Sequence, residues 1–231
     1  MFQKSRRYWL EKYSETPRPL LIPRYSSQYN SRPISNGRES LYLPRAFYKE
    51  LEKFSQTHQV SFFHTLIGIL YVYFTNTMER NDFTIGLPLL NRSSAQFKKT
   101  AGLFMSVSPV WFNMGRKLTF IELIQAIKRT LKQHYRHQRF PTSELNKAIN
   151  LEQHRTQLFD VTFSYENQNY NTQFNNIESY FTELLHPWKK IELMISARGF
   201  QTSEDISFNF IYNQEYFNVS EIQALQTQFI Y

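Results

Sequence analysis

The chain contains no cysteine, and only six glycines and three aspartates among 231 residues. Without cysteine there is no disulfide, no thiolate nucleophile and no cysteine-based metal site, which suits a cytoplasmic setting. The glycines are too widely spaced for a phosphate-cradling loop, and Gly-x-Ser-x-Gly is absent. The aspartates are Asp82, Asp160 and Asp205, and none lies within five residues of any of the six histidines. No local base with an orienting carboxylate is therefore available. Long apolar runs are missing too. The longest, Phe62 to Phe74, includes His64 and Thr65 and is too short to span a bilayer. The start, Met1 to Trp9, carries charge without a following apolar core, unlike a secretory signal. Net charge is +8, yet the basic residues are scattered, adjacent only in pairs such as Arg6-Arg7, Lys98-Lys99, Lys128-Arg129 and Lys189-Lys190. Nucleic-acid and membrane surfaces call for a stripe or block, so neither partner is expected. His134 and His137 are close enough to share a metal, but Arg136 and Arg139 oppose a cation there, and no metal site is expected.

What is present is core-forming material: 41% hydrophobic and 17% aromatic residues, too much for a disordered chain. The stretch Phe62 to Phe74 is apolar on almost every side and predicts a helix buried on more than one face. Asp82 to Arg92 begins like a buried strand, but Gly86 and Pro88 predict an irregular far end. Tyr8, Trp9 and Leu10 in Arg7 to Lys12 suggest the end of a helix, and Pro17 to Gly37 an extended connector. Glu39 to Leu43 reads as a short strand and Pro44 as a helix start, with Phe47, Leu51 and Phe54 forming the apolar face of a surface helix. Asn91 to Thr100 reads as a loop and Ala101 to Phe112 as a strand interrupted at Pro109. Thr119 and Glu122 have capping-box spacing ahead of a helix with Phe120, Ile124, Ile127 and Leu131 on one face. After a loop from His134 to Pro141 and a short helix over Ser143 to Asn150, strands are expected at Phe159 to Tyr165, Ile191 to Ala197 and Ile206 to Tyr212. Asn167 to Glu178 reads as an Asn- and Gln-rich excursion, and Ser220 as the cap of a last helix.

Several of these segments, in order, resemble the condensation domain of nonribosomal peptide synthetases, in the chloramphenicol-acetyltransferase-like superfamily. Tyr8-Trp9-Leu10-Glu11-Lys12 followed by Pro19 to Pro23 is similar to the family's Tyr-Trp segment and proline-rich stretch. Asp82 to Arg92 resembles a strand ending Gly-x-Pro-x-x-x-Arg, and Gly102-Leu-Phe-Met-Ser-Val107 resembles Gly-x-Phe-Val-Asn-Thr. His137-Gln-Arg-Phe-Pro141 is similar to His-Gln-Asp-x-Pro-Phe-Glu. Leu158 to Tyr165, Ile191 to Met194 and Tyr212 to Phe217 match the closing strands. There are departures. Ser106 and Val107 stand for Asn and Thr, Trp111 for a later Arg, Arg139 for Asp, and Thr142-Ser143 for Phe-Glu. The active-site motif His-His-x-x-x-Asp-Gly occurs nowhere in the chain.

The resemblance implies an α/β fold, a mixed sheet with packed helices, forming one lobe of the two-lobe chloramphenicol-acetyltransferase-like architecture. Residues 1–37 would be a crossover from an amino-terminal lobe and 38–231 the carboxy-terminal lobe. The family acts as an acyltransferase that forms amide bonds between carrier-bound acyl and aminoacyl thioesters. This chain lacks the motif histidines, so it is expected to be inactive alone and to contribute no catalytic residue. Its channel and motif residues would be Gly86, Pro88, Arg92, Gly102, Phe104, Ser106, His137, Gln138 and Pro141. No cofactor belongs to the chain itself, since substrates would ride on the phosphopantetheine of carrier proteins. The implied partners are an amino-terminal condensation lobe and peptidyl carrier proteins, with self-association through an uncovered lobe face. Alternative expectations are a non-catalytic module that binds carriers or a synthetase partner, and a truncated gene remnant.

Overall fold

The computed structural model describes residues 2–23, 35–92, 94–115, 117–151, 157–166, 173–174, 177–178, 192–199 and 205–230. The order of elements is α1 (Phe2–Lys12), β1 (Asn36–Leu43), α2 (Arg45–Thr57), α3 (Phe62–Thr77), β2 (Asp82–Leu89), α4 (Ala95–Lys99), β3 (Ser106–Asn113), α5 (Phe120–Arg136), α6 (Thr142–Ala148), β4 (Val161–Glu166), β5 (Gln173–Phe174), β6 (Ile177–Glu178), β7 (Leu193–Arg198), β8 (Ile206–Asn213) and α7 (Val219–Ile230). The chain divides into two compact units: Met1–Leu21 with Phe54–Phe163, and Ile22–Lys53 with Ser164–Tyr231. The expected α/β class is observed. His154, His186, most of the Pro17 to Gly37 connector and most of the Asn167 to Glu178 excursion lie outside the described residues.

In the first unit α3 is the buried helix that its composition demands. Leu66, Ile67, Leu70 and Phe74 are fully enclosed, and so is the polar Thr65, whose hydroxyl meets that of Ser55 at 2.7 Å. Ser61 caps its start and His64 completes the capping box, an imidazole in the role usual for Glu or Gln. Helix α5 lies against α3 and begins with the expected Thr119–Glu122 box. A Cβ at Gly68 would stand 2.7 Å from Ile124 Cγ2, so only glycine permits this approach. The buried face of α5 is Leu123, Ile124, Ile127, Leu131 and His134, with Phe120 only half-buried. The helix runs on to Arg136, through the first part of the expected His134 to Pro141 loop.

Strand β2 pairs antiparallel with β3 from Asp82↔Asn113 to Leu89↔Ser106, and parallel with β4 at Ile85↔Val161 and Gly86↔Thr162. The irregular end expected from Gly86 and Pro88 is not observed, and the phase of the pairing supplies the reason. Residues alternate in the side toward which they direct backbone polar groups. The Pro109 carbonyl accepts from the Tyr13 hydroxyl at 3.1 Å, so it faces away from β2. Gly86 pairs with Pro109 and Pro88 with Val107, the same phase. The N–H groups that the two prolines lack are therefore not required by the β2–β3 ladder. Gly86 has a separate constraint: a Cβ there would meet the Phe159 ring at 2.5 Å.

The second unit holds β8 between β1 and β7, antiparallel to both. Phe208 and Phe210 project onto Phe229 of α7 at ring separations of 5.2 and 6.3 Å. The buried Asn209 accepts from Arg38 and Ser40 of β1 at 2.9 and 2.8 Å, which satisfies a polar group that would otherwise be costly to enclose.

Other expectations need correction. Helix α1 ends at Lys12 as expected, but β3 begins at Ser106 instead of Ala101. The 91–100 segment contains α4, capped by the Ser94 hydroxyl. Phe47 is exposed on α2, whose buried side chains are Tyr48 and Ser55; the apolar spacing favoured Phe47, but hydrogen bonds to Glu52 and Tyr165 make Tyr48 the residue that turns inward. Helix α7 is capped by Asn218, whose Oδ1 accepts from Glu221 N at 2.9 Å, and not by Ser220.

Gly68→Ala is expected to lower unfolding free energy by about 1–3 kcal/mol through overpacking against Ile124. Ile124→Val in the same chain should recover part of the loss. Urea denaturation measures both, and a wild-type midpoint for Gly68→Ala would show that the helices separate without cost.

Candidate functional site

The motif residues fall in the first unit and sort into two groups. One is built on the turn that leaves β2. Asn91 has φ +53°, a left-handed conformation that Asn tolerates better than most residues. From there its Nδ2 donates to the Phe104 carbonyl at 2.9 Å and to Ser106 Oγ at 2.8 Å. Arg92 beside it reaches three carbonyls, with Nη1 donating to Phe97 at 2.6 Å and Thr100 at 2.5 Å and Nη2 donating to Gly102 at 2.8 Å. Its guanidinium also lies 4.5 Å over the Phe104 ring. Phe104 meets Phe97 edge-on at 5.6 Å, and Arg139 covers Phe97 at 4.9 Å. A ladder of Arg92, Phe104, Phe97 and Arg139 thus fixes the segment between α4 and β3. Gly102 is exposed in that segment at φ +144°, which L side chains rarely adopt.

The second group surrounds His137, the C-cap of α5. Its ring stacks on Tyr8 at 4.2 Å with an interplanar angle of 16°, its Nδ1 lies 3.1 Å from Ser5 Oγ, and its carbonyl accepts from Trp9 Nε1 at 3.1 Å. Burial, followed by the positive charges of Lys4 and Arg136, lowers its pKa. Gln138 is half-buried and Pro141 forms the N-cap of α6. Pro88 is exposed on β2, and Gly86 is buried there. The structure therefore joins Arg92, Gly102, Phe104 and Ser106 directly, reaches the His137 segment through Arg139, and leaves Gly86 and Pro88 as shape-giving positions in the strand. Among the described residues no carboxylate pairs with His137, so no base with an orienting acid is assembled there.

Sequence reasoning missed Asn91, Phe97, Ser5 and the buried His134. Asn immediately before Arg92 was the available signal for a left-handed turn. His134 gave none, because burial of one helical position by α1 is decided by tertiary packing. Its ring is wholly enclosed, Trp9 approaches it edge-on at 4.9 Å, and neither nitrogen has a hydrogen-bond partner among the described residues. Burial, then the charges of Lys12 and His137, pushes its pKa down to about 3. Among the described residues no group of three His, Cys, Asp or Glu could hold a metal, and no helix is long and apolar enough to cross a membrane.

The family model for the condensation domain matches residues 1–231. A plipastatin synthase of Bacillus subtilis (strain 168) is 21% identical over 231 residues, covering 99% of this chain and 6% of the relative. Tyrocidine synthase 3 of Brevibacillus parabrevis is 24% identical over 168 residues, covering 72% of this chain and 3% of the relative. The first condensation domain of the CDA synthetase superposes with a TM-score of 0.80 at 16% identity, covering 99% of this chain and 49% of that one. The condensation domain of the Monacolin K polyketide synthase gives 0.80 at 17% identity, covering 99% and 56%. The chain thus spans about half the length of these solved condensation domains. It belongs to the condensation domain family.

Arg92→Ala should cost about 1–2 kcal/mol of stability and should speed amide hydrogen exchange between Phe97 and Phe104 while leaving β2 and β3 protected. Arg92→Lys should retain only part of the protection, because one ammonium cannot span three carbonyls; unchanged exchange in Arg92→Ala would contradict the anchoring role. For His134, the unfolded ring takes up a proton near its ordinary value of 6.5 and the folded ring only near 3. Its contribution is therefore complete above about pH 6.5 and is lost progressively as pH falls toward 3. His134→Phe should flatten that acid limb of the melting temperature against pH, and an unaltered slope would show that other groups carry it.

Proposed function

We propose that this chain is the carboxy-terminal half of a condensation domain and supplies one wall of the site where an amide bond forms between carrier-bound thioesters. The observation that carries the reading is a pairing of two facts. The fold matches about half of solved condensation domains, yet the sequence has no His-His-x-x-x-Asp-Gly. In the reaction the amine of one carrier-bound aminoacyl group attacks the acyl carbonyl on a second carrier. A new C–N bond forms, the C–S bond breaks, and the thiol of the second carrier's phosphopantetheine leaves. The proton from the amine requires a base or positioning group from an amino-terminal half. Residues 1–37 would bring the chain across from that half, with Trp9 and Tyr13 seated in the first unit. The work of this half is to shape its wall: Arg92 and Asn91 hold the 94–106 segment, and Ser106 stands at the β3 end of it. His137, stacked on Tyr8 and engaged with Ser5, is a framing residue here and not a base.

The test mixes two charged carrier proteins with this chain, an amino-terminal half bearing the motif, or both, and follows dipeptidyl product by mass spectrometry. Product is expected only with both halves. Product from this chain alone would refute the reading. Capture of carriers without product in any mixture would favour a non-catalytic binding module, a role consistent with Arg139 and Trp111 standing where the family motif has other residues.

A further inference from the structure

An open groove of about 810 Å³ runs along the first unit between α1 and α5, floored by the end of β3. That volume lies in the range of small-molecule sites. Tyr8 and Trp111 supply aromatic surface and Leu118 an aliphatic edge, while Lys12 and Arg129 are its two cations. The groove's one carboxylate, Glu11, is held by Arg7 at 2.7 Å. Neither Lys12 nor Arg129 has a carboxylate partner among the described residues. Lys12 is half-buried, and its ammonium lies 5.9 Å over the Tyr8 ring. A lysine drawn into a partly apolar groove without a counter-ion gives up hydration and receives no ion pair in return. Burial accordingly lowers its pKa to about 8. An anion with an apolar body would relieve that cost, because its carboxylate would meet the cations and its body would cover the rings.

We propose that this groove binds small carboxylates carried on an apolar, preferably aromatic, body, with Lys12 and Arg129 taking the carboxylate and Tyr8 and Trp111 the body. The groove adjoins the His137 group, with which it shares Tyr8, and its test needs no partner protein.

Isothermal titration calorimetry of the full chain with 2-naphthoate, against neutral 2-naphthamide, examines the assignment. Naphthoate should bind saturably at one site and the amide at least about tenfold more weakly, the scale of one charge-assisted contact. Lys12→Met and Arg129→Met should each weaken naphthoate by about tenfold or more and leave the amide unchanged. Trp111→Phe should weaken both ligands. The titratable groups around the Lys12 ammonium are Tyr8 and Glu11 on α1 and Arg129 on α5, with His134 of α5 near enough to feel its charge; β3 offers no titratable side chain there. His134 and His137 are neutral above neutrality, with their pKa values lowered. Naphthoate affinity should therefore fall as pH rises through about 8 and beyond, as Lys12 loses its proton, and Lys12→Arg should bind without that fall. Equal affinity for acid and amide, or naphthoate binding indifferent to Lys12→Met and Arg129→Met, would overturn the proposal. Circular dichroism of each variant separates loss of binding from loss of fold.

Discussion

The contact on which much of the first unit depends is that between the Tyr13 hydroxyl and the Pro109 carbonyl. Among the described residues strand β3 has β2 on one side only, and its outer row of polar groups needs partners or cover. Helix α1 and the turn after it provide both. Tyr13 takes the Pro109 carbonyl, and Trp9 packs with Tyr13, Phe140, Leu145 and Leu158 in one buried cluster. The phenol is so enclosed that its pKa is driven well above the ordinary value by burial, so it is a hydroxyl donor at any physiological pH. Because α1 is fixed there, Trp9 can hold the His137 carbonyl, Tyr8 can lie on the His137 ring, and Lys12 faces α5 across a groove.

The family motifs have a structural meaning in this chain that their names do not convey. Arg92 does not point into open space; it binds the loop that follows it through three carbonyls and one ring. Phe97 and Phe104 link the two motif segments. Arg139 rests its guanidinium on Phe97. The guanidinium plane is suited to this in a way an ammonium is not.

How much of this could be read in the sequence depended on whether the cause was local. The apolar run of α3, the Thr119–Glu122 box and the alternation at Phe208, Phe210 and Tyr212 specify their elements within a few residues, and all three are observed. The α/β class and the family followed from motif order. The regular course of β2 was not legible, because the harmlessness of Pro88 depends on which way β3 faces, and that is fixed by Tyr13 nearly a hundred residues away in sequence. The start of β3, the extent of α5 and the burial of His134 failed for the same reason. For the candidate site, Arg92, Gly102, Phe104 and Ser106 were found together as a motif, but Asn91 and Phe97, which hold them, belong to no motif.

The register of β1 on β8 carries a consequence for how the protein is made. Asn36 pairs with Asn213 and Leu43 with Ile206, so the second unit joins the first to the last of the described strands. In the first unit β2 and β3 are separated only by α4 and its flanking turns. Closing a longer loop costs more entropy, and contacts of high sequence separation form late. On the ribosome the β2–β3 pair and the α3–α5 contact can form while the carboxy-terminal third is still unsynthesised. Strand β1 must wait, with its polar edge unpaired, until β8 has emerged. That interval is when a nascent chain of this kind is most exposed to mispairing through β1, and the charged Arg38 and Glu39 in that strand are the residues placed to discourage it.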